Sequence, residues 1–158
     1  MKFWSILIFK LSFLSFAALA DDLQNQALEL TNNESKIYEW RVIRVLDGDT
    51  LEIANNFLPS ELKLFVRIKN IDTPEKKPRA KCLKEHNLAL KASNYTAEAI
   101  NNAQKNNQTI TFGEIKWDKY GGRIVAKVMV NNKDLAEDLV KKGLAKKYDG
   151  KKKSSWCR

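Results

Sequence analysis

Apolar and polar residues alternate with a period of two in several short segments, most regularly between Glu61 and Lys69. Such alternation, combined with β-branched and aromatic residues, predicts strands that bury one face. Turn signals such as Asp47-Gly48 separate the segments. The predicted strands are Ile37–Leu46, Asp49–Ala54, Glu61–Lys69, Thr109–Ile115 and Ile124–Val130.

Two other segments follow a helical period. In Lys84–Asn106, apolar residues recur at spacings of three and four. The segment Lys133–Lys142 follows Asn132, which can cap a helix, and precedes Gly143, a common helix stop. Strands followed by a helix, two more strands and a second helix predict an α+β fold. This order fits an oligonucleotide-binding-type (OB-fold) barrel with helices packed at its side.

Residues 1–20 have the pattern of an export signal. Lys2 and Lys10 supply positive charge, residues 11–19 are mostly apolar, and Ala18-Leu19-Ala20 is a small-x-small cleavage site. The alternative is an uncleaved membrane anchor, but Lys10 interrupts an apolar stretch that should be about 20 residues long. We therefore expect a secreted or periplasmic protein with no stable membrane association. Residues 21–36 are polar and predict a lead-in to one domain at residues 37–158.

Positive charge is concentrated near the C-terminal end. The net charge of +9 falls to +7 without Lys2 and Lys10, and residues 139–158 hold eight basic residues and one acid. A basic tail favours polyanions through phosphate contacts, although a solvated terminus can have the same composition. A second basic cluster lies between Lys76 and Lys84. Because the chain also has an acidic site between Asp47 and Glu75, which is described below, we expect these basic segments to bind a nucleic-acid substrate.

Cys82 and Cys157 are the two cysteines of the chain. An even number in an exported protein suggests a disulfide, and free thiols are the alternative. Closing a loop of about 75 residues would stabilise the fold by about 4 kcal/mol. The single histidine, His86, makes triad chemistry and histidine-ligated zinc poor interpretations.

Two short acidic turns carry the candidate chemistry, Asp47-Gly48-Asp49-Thr50 and Ile71-Asp72-Thr73-Pro74-Glu75. Strand parity predicts that the Asp49 carboxylate is buried, which is costly without a cation or hydrogen-bond donors. Asp72 offers a second carboxylate at a strand end. Oxygen ligands of this kind suit Ca²⁺. The alternative is that the first motif is only a hairpin turn.

Three further residues extend this acidic site. Arg67 lies on the polar face of its strand, where its guanidinium can bind phosphate or pair with a surface acid. Glu75 can accept a proton from an attacking water, or it is a solvated loop acid. Arg123 follows the Gly121-Gly122 turn and can approach a phosphate from the other side.

Four ordered motifs along residues 37–148 resemble the staphylococcal nuclease (thermonuclease) family. They are Val45–Thr50, Arg67 with Ile71–Glu75, Asp118–Arg123 and Gly143–Lys146. The resemblance implies a five-stranded OB-fold-type β-barrel with about three α-helices. It also implies a calcium-dependent endonuclease that hydrolyses DNA and RNA and leaves 3′-phosphate ends. We expect the protein to be a monomer.

The resemblance further implies a role for each residue of the site. Calcium would bind two carboxylates and a backbone carbonyl, two arginines would clamp the phosphate, and one glutamate would act as general base. The implied residues are Asp49, Asp72 and Thr73 for calcium, Arg67, Glu75 and Arg123 for catalysis, and Lys119, Tyr120 and Tyr148 for the nucleotide.

The chain departs from the family pattern at Arg123. The family often has Asp-x-Tyr-Gly-Arg, whereas here an extra glycine places the arginine one residue later. A one-residue shift within a strand would turn the side chain to the other face. We expect the two glycines to absorb the extra residue in the turn, because Ile124, Ala126 and Val128 then share one face.

A non-catalytic OB-fold module that binds nucleic acid is the alternative function, since such barrels also hold single strands without cutting them. A module that only binds has no need for the acidic motif together with its arginines. The presence of the whole set therefore favours catalysis.

Overall fold

The computed structural model describes residues 36–54, 59 and 61–157. The predicted export signal (residues 1–20) lies outside the described residues, as does the predicted lead-in up to residue 35. Neither helix in the described part of the chain combines the length and apolarity needed to span a bilayer.

The described residues form nine strands and two helices. The strands are β1 (Tyr38–Glu39), β2 (Val42–Asp47), β3 (Thr50–Ile53), β4 (Leu64–Ile68), β5 (Ile71–Asp72), β6 (Ile110–Trp117), β7 (Arg123–Val130), β8 (Lys133–Asp134) and β9 (Lys146–Lys147). The helices are α1 (Leu83–Lys105) and α2 (Leu135–Lys141).

Five longer strands form the body of the fold, in the order β6-β7-β4-β3-β2. They make a curled mixed sheet, in which neighbouring strands are antiparallel except for the parallel pair β4 and β7. The short strand β1 extends the sheet beside β6, β8 pairs with β7, and β5 pairs with β9 outside the main sheet. The α+β class and the OB-fold-type architecture predicted from the sequence are confirmed.

The core is built from the inner faces of the sheet and the apolar sides of both helices. In β7 the residues Ile124, Ala126 and Val128 are buried, as their alternation predicts. Helix α1 contributes Ile100, and α2 contributes Leu139. Full burial of one such Ile, Leu or Val side chain stabilises a fold by about 1.5–3 kcal/mol, so this packing holds α1 against the sheet.

The second helix starts later than predicted because Asn132 belongs to a hairpin turn. Asn131 and Asn132 have φ angles of 48° and 60°, a left-handed conformation that asparagine tolerates and that a tight hairpin requires. The turn returns the chain along β7 as β8. Asp134, at the end of β8, then caps the helix by accepting the backbone N–H of Ala136 and of Glu137.

Candidate active site

A cleft of about 680 Å³ brings together most of the residues that the sequence selected. Its lining includes Asp49, Arg67, Thr73, Glu75, Lys119, Tyr120, Arg123 and Tyr148. Asp72 lines an adjoining cleft of about 750 Å³, which shares Thr73 and Glu75 with the first. Residues from distant parts of the chain therefore meet at one end of the sheet.

The turn between β2 and β3 is fixed by a close approach at Gly48. A Cβ atom at this position would lie 2.7 Å from the Cβ of Ala92 and 3.0 Å from Cγ2 of Thr73. The Gly48 carbonyl also accepts a buried hydrogen bond of 2.8 Å from the Thr96 hydroxyl. Because only glycine fits here, the turn is locked between helix α1 and the second acidic loop.

Asp49 lies in this turn, since β3 begins at Thr50. The sequence predicts a buried Asp49 one residue inside the strand; it is buried, to 4% exposure, and its carbonyl accepts the Ile68 N–H from β4, although the strand itself begins at Thr50. Its Oδ2 is 3.0 Å from Arg67 Nη2, and its carboxylate accepts the hydroxyl of Thr50 and the backbone N–H of Thr73. Burial raises the pKa of Asp49, and the nearby guanidinium only partly offsets that effect.

Asp72, at the end of β5, is buried to 3% exposure. Its Oδ1 is 3.9 Å from Arg67 Nη2 and 2.7 Å from Lys153 Nζ. Its Oδ2 accepts a hydrogen bond of 3.4 Å from Nε1 of Trp156. Two buried carboxylates, those of Asp49 and Asp72, thus converge on the same guanidinium nitrogen. Carboxylate oxygens are the type of ligand that calcium prefers, so the chemistry of these donors suits that ion.

Glu75 lies in the cleft wall and is partly exposed. Its Oε2 is 2.9 Å from Arg79 Nε, and its Oε1 is 3.2 Å from Lys153 Nζ. Burial is the largest single effect and favours the protonated form, but the two cations together outweigh it and lower the pKa of Glu75. The buried Glu85 accepts the backbone N–H of Glu75 at 3.4 Å and that of Lys81 at 2.7 Å, which fixes the loop.

Arg123 faces the same side of the sheet as Arg67. In the parallel pair, Phe65 is opposite Arg123 and Arg67 is opposite Val125; side chains at paired positions point to the same face. Gly122 has a φ of 72° and its carbonyl accepts the Phe65 N–H at 3.0 Å. The turn therefore absorbs the extra glycine, as we expected from the alternation that follows it.

The Arg123 side chain has fewer contacts than that of Arg67. Its Nε is 2.6 Å from Asp118 Oδ2, and its guanidinium carbon lies 4.8 Å from the centre of the Tyr120 ring. Tyr120 is 55% exposed and Trp117, which also lines the cleft, is 76% exposed. Exposed aromatic rings beside a cation are suited to stacking on nucleotide bases.

The C-terminal tail forms one wall of the site. The sequence did not predict which of its residues contact the acidic loop. Cys82 and Cys157 form a disulfide with a Cα–Cα distance of 5.9 Å, which brings Lys153 and Trp156 against the acidic loop. The cysteine pair and the basic run were the signals for this tail. They could not select Lys153, because three consecutive lysines occur at residues 151–153.

Known proteins resemble this chain over the same region. Residues 65–156 match the family described as Staphylococcal nuclease homologue. The chain is also 33% identical over 116 residues to Endonuclease YncB of Bacillus subtilis (strain 168). That alignment covers 73% of this chain and 51% of the relative, so the chain spans about half the length of the curated relative it matches.

Proposed function

The chain belongs to the staphylococcal nuclease family, and we propose that it is a calcium-dependent endonuclease that hydrolyses phosphodiester bonds in DNA and RNA. The observation that carries this proposal is the convergence of Asp49 and Asp72 on Arg67, at the edge of a cleft that also holds Glu75. Buried carboxylates are costly to the fold, and they are typical of sites that bind a cation.

Calcium held by Asp49, Asp72 and the Thr73 carbonyl would polarise a phosphoryl oxygen and position the attacking water. The ligand set contains only hard oxygen donors, which agrees with the preference of this ion. The Gly48 turn and the β5–β9 pairing hold the backbones of the two carboxylate residues in place.

Arg67 and Arg123 would bind the phosphate from two adjacent strands. Planar guanidinium groups match pairs of phosphoryl oxygens, and they stabilise the negative charge that develops during attack. Their common face of the sheet supports this role. Lys119, Tyr120 and Tyr148 line the same cleft and would contact the nucleotide on either side of the scissile bond.

Glu75 would act as the general base. Its lowered pKa keeps the carboxylate ionised at neutral pH, so it can accept a proton from water as oxygen attacks phosphorus. Attack in line with the 5′ oxygen breaks the bond between that oxygen and phosphorus. The products would then carry a 3′-phosphate and a free 5′-hydroxyl.

We also propose that the protein is exported and acts as a monomer. Export rests on the charge and apolar pattern of residues 1–20. The monomer is supported by the site itself, because one chain supplies every residue with a proposed role.

Digestion of labelled DNA and RNA by the purified protein tests this function. With calcium, we expect internal cleavage of both substrates and fragments whose 3′ ends are extended by a polymerase only after phosphatase treatment. Fragments that extend without phosphatase would contradict the proposed bond cleavage. Binding of both substrates without cleavage at any calcium concentration would instead favour the non-catalytic OB-fold module.

A further inference from the structure

The Lys153 ammonium lies between two carboxylates of the candidate active site. Its Nζ is 2.7 Å from Asp72 Oδ1 and 3.2 Å from Glu75 Oε1. Neither the proposed metal ligands nor the proposed catalytic groups include this lysine. It nevertheless lines both clefts, so it stands at the boundary between the cleft for substrate and the cleft that holds Asp72.

Several contacts of the neighbouring residues hold this lysine in place. Cys157 is joined to Cys82 at the start of helix α1. Trp156 is buried and donates to Asp72. Lys146 Nζ donates to the Ser155 carbonyl at 2.7 Å and lies 4.2 Å from the centre of the Trp156 ring. The backbone after Lys153 is therefore tied down by residues that follow it, and the ammonium is delivered to the site by a fixed segment.

The ammonium and a metal ion would need the same oxygen. Calcium ligands lie about 2.3–2.6 Å from the ion, and Asp72 Oδ1 already has Lys153 Nζ at 2.7 Å. Two positive centres on one side of a carboxylate oxygen repel each other strongly in a partly buried site. A divalent ion can therefore bind Asp72 Oδ1 only when the Lys153 ammonium moves away. Because the Lys153 side chain is 45% exposed, it can swing into solvent without opening the core.

We propose that Lys153 is a resident cation of the metal site, which pairs with Asp72 and Glu75 in the metal-free protein and competes directly with calcium. The lysine thereby lowers the affinity of the site for calcium and keeps the carboxylates neutralised until the ion arrives. The proposal rests on calcium binding at Asp49 and Asp72, as in the proposed function. It adds a residue from the disulfide-linked tail that sets the calcium concentration at which the site fills.

Calcium titration by calorimetry, on the disulfide-bonded protein without nucleic acid, tests this proposal. The variant Lys153→Met keeps an apolar stem and removes the charge, and the matched control Lys152→Met removes the same charge one residue earlier. We expect Lys153→Met to bind calcium at least about tenfold more tightly than the wild type. We expect Lys152→Met to stay within about threefold, because Lys152 makes no ion pair among the described residues.

A second measurement follows thermal unfolding of the same proteins with chelator and with calcium. With chelator, Lys153→Met should unfold at a lower temperature than Lys152→Met, because Asp72 and Glu75 each lose one of their cation partners. Added calcium should then raise the unfolding temperature of Lys153→Met more than that of the control. The variant Lys153→Gln should behave as Lys153→Met does in both measurements.

The outcomes separate this inference from the proposed function. A calcium affinity of Lys153→Met equal to or weaker than that of Lys152→Met overturns the inference, even when the wild type cleaves nucleic acid only with calcium. If none of the proteins binds calcium and cleavage persists with chelator, the calcium assignment of the proposed function fails and the inference fails with it.

Discussion

The two sides of the cleft are built in different ways. On the acidic side, Asp49 and Asp72 are nearly inaccessible, and each contacts Arg67 and at least one further partner. The turn side is formed by the turn between β6 and β7. There Arg123 has one carboxylate partner, Asp118, and Tyr120 beside it is more than half exposed. The carboxylates of one side are buried by packing of the core, whereas the other side presents exposed aromatic rings beside a partly buried ion pair.

Stability and activity should be coupled on the acidic side of the cleft and largely independent on the turn side. A substitution on the acidic side disturbs buried charges and the contacts of α1, so it should change both the free energy of unfolding and the activity. A substitution of Arg123 breaks one partly buried ion pair, with Asp118, which should contribute less to stability than the two buried carboxylate contacts of Arg67. Its effect should therefore be confined to substrate binding and the chemical step.

The largest effect is expected for Glu75→Gln. The variant keeps the shape of the side chain but cannot accept a proton, so cleavage should fall by about 10²–10⁴-fold. Thermal unfolding should remain cooperative, since Glu75 is partly exposed. The control is Glu137→Gln, which removes an exposed acid from α2 and should leave the rate within about twofold. Equal cleavage by Glu75→Gln and the wild type would end the assignment of the base.

Next in size is the contrast between Arg67→Lys and Arg123→Lys. Both variants lose the planar fork, and we expect each to lose about 10²-fold in cleavage rate. Only Arg67→Lys should also lower the free energy of unfolding, by about 1–3 kcal/mol, because its guanidinium serves two buried carboxylates. Denaturant unfolding measures this difference. Equal loss of stability in the two variants would remove the distinction between the two sides.

A smaller effect, mainly on the free energy of unfolding, is expected for Gly48→Ala. The added Cβ would overlap Ala92, and overpacking of this kind costs about 1–3 kcal/mol. The matched control is Gly113→Ala, where no atom of the described chain beyond the adjacent residues lies within 4 Å of the new Cβ; it should be neutral or stabilising by up to about 1 kcal/mol. Denaturant unfolding of both variants checks this prediction. If Gly48→Ala is as stable as the wild type, the turn is not locked by α1.

The smallest effect is a pH dependence that belongs to the acidic side. The pKa of Glu75 in the folded protein lies below its ordinary value of 4.5, because Lys153 and Arg79 outweigh its burial. Its stabilising contribution is therefore complete above pH 4.5 and is lost as the pH falls through the lower, folded pKa. The difference in unfolding free energy between the wild type and Glu75→Gln should shrink over that range. A difference that stays constant from pH 7 to pH 3 would contradict the lowered pKa.

The sequence predicted what local patterns determine. Alternation located the five longer strands, and helical spacing placed α1 within one residue at each end. It was wrong where a turn decided the outcome, because Asn132, the predicted helix cap, forms a left-handed hairpin turn with Asn131. The predicted burial of Asp49 is confirmed, although packing of its turn against α1 contributes to it as well as strand pairing.

The tail shows a second limit of sequence patterns. The cysteines indicated where it attaches, but the choice of Lys153 over its two neighbours depends on where the Trp156 ring is buried. Such long-range packing leaves no periodic signal. The acidic residues could be predicted because they occur in short motifs typical of a metal site. Lys153, which pairs with two carboxylates of that site, belongs to no such motif.

The rate of cleavage as a function of free calcium, set with a chelator buffer, probes the proposed metal site most directly. A labelled oligonucleotide and the wild-type protein suffice. We expect no cleavage with chelator in excess and a rise to a plateau in one binding step, with its midpoint near the calcium dissociation constant from calorimetry. Cleavage that continues undiminished with chelator in excess would show that the two acidic turns do not form a calcium site on which cleavage depends.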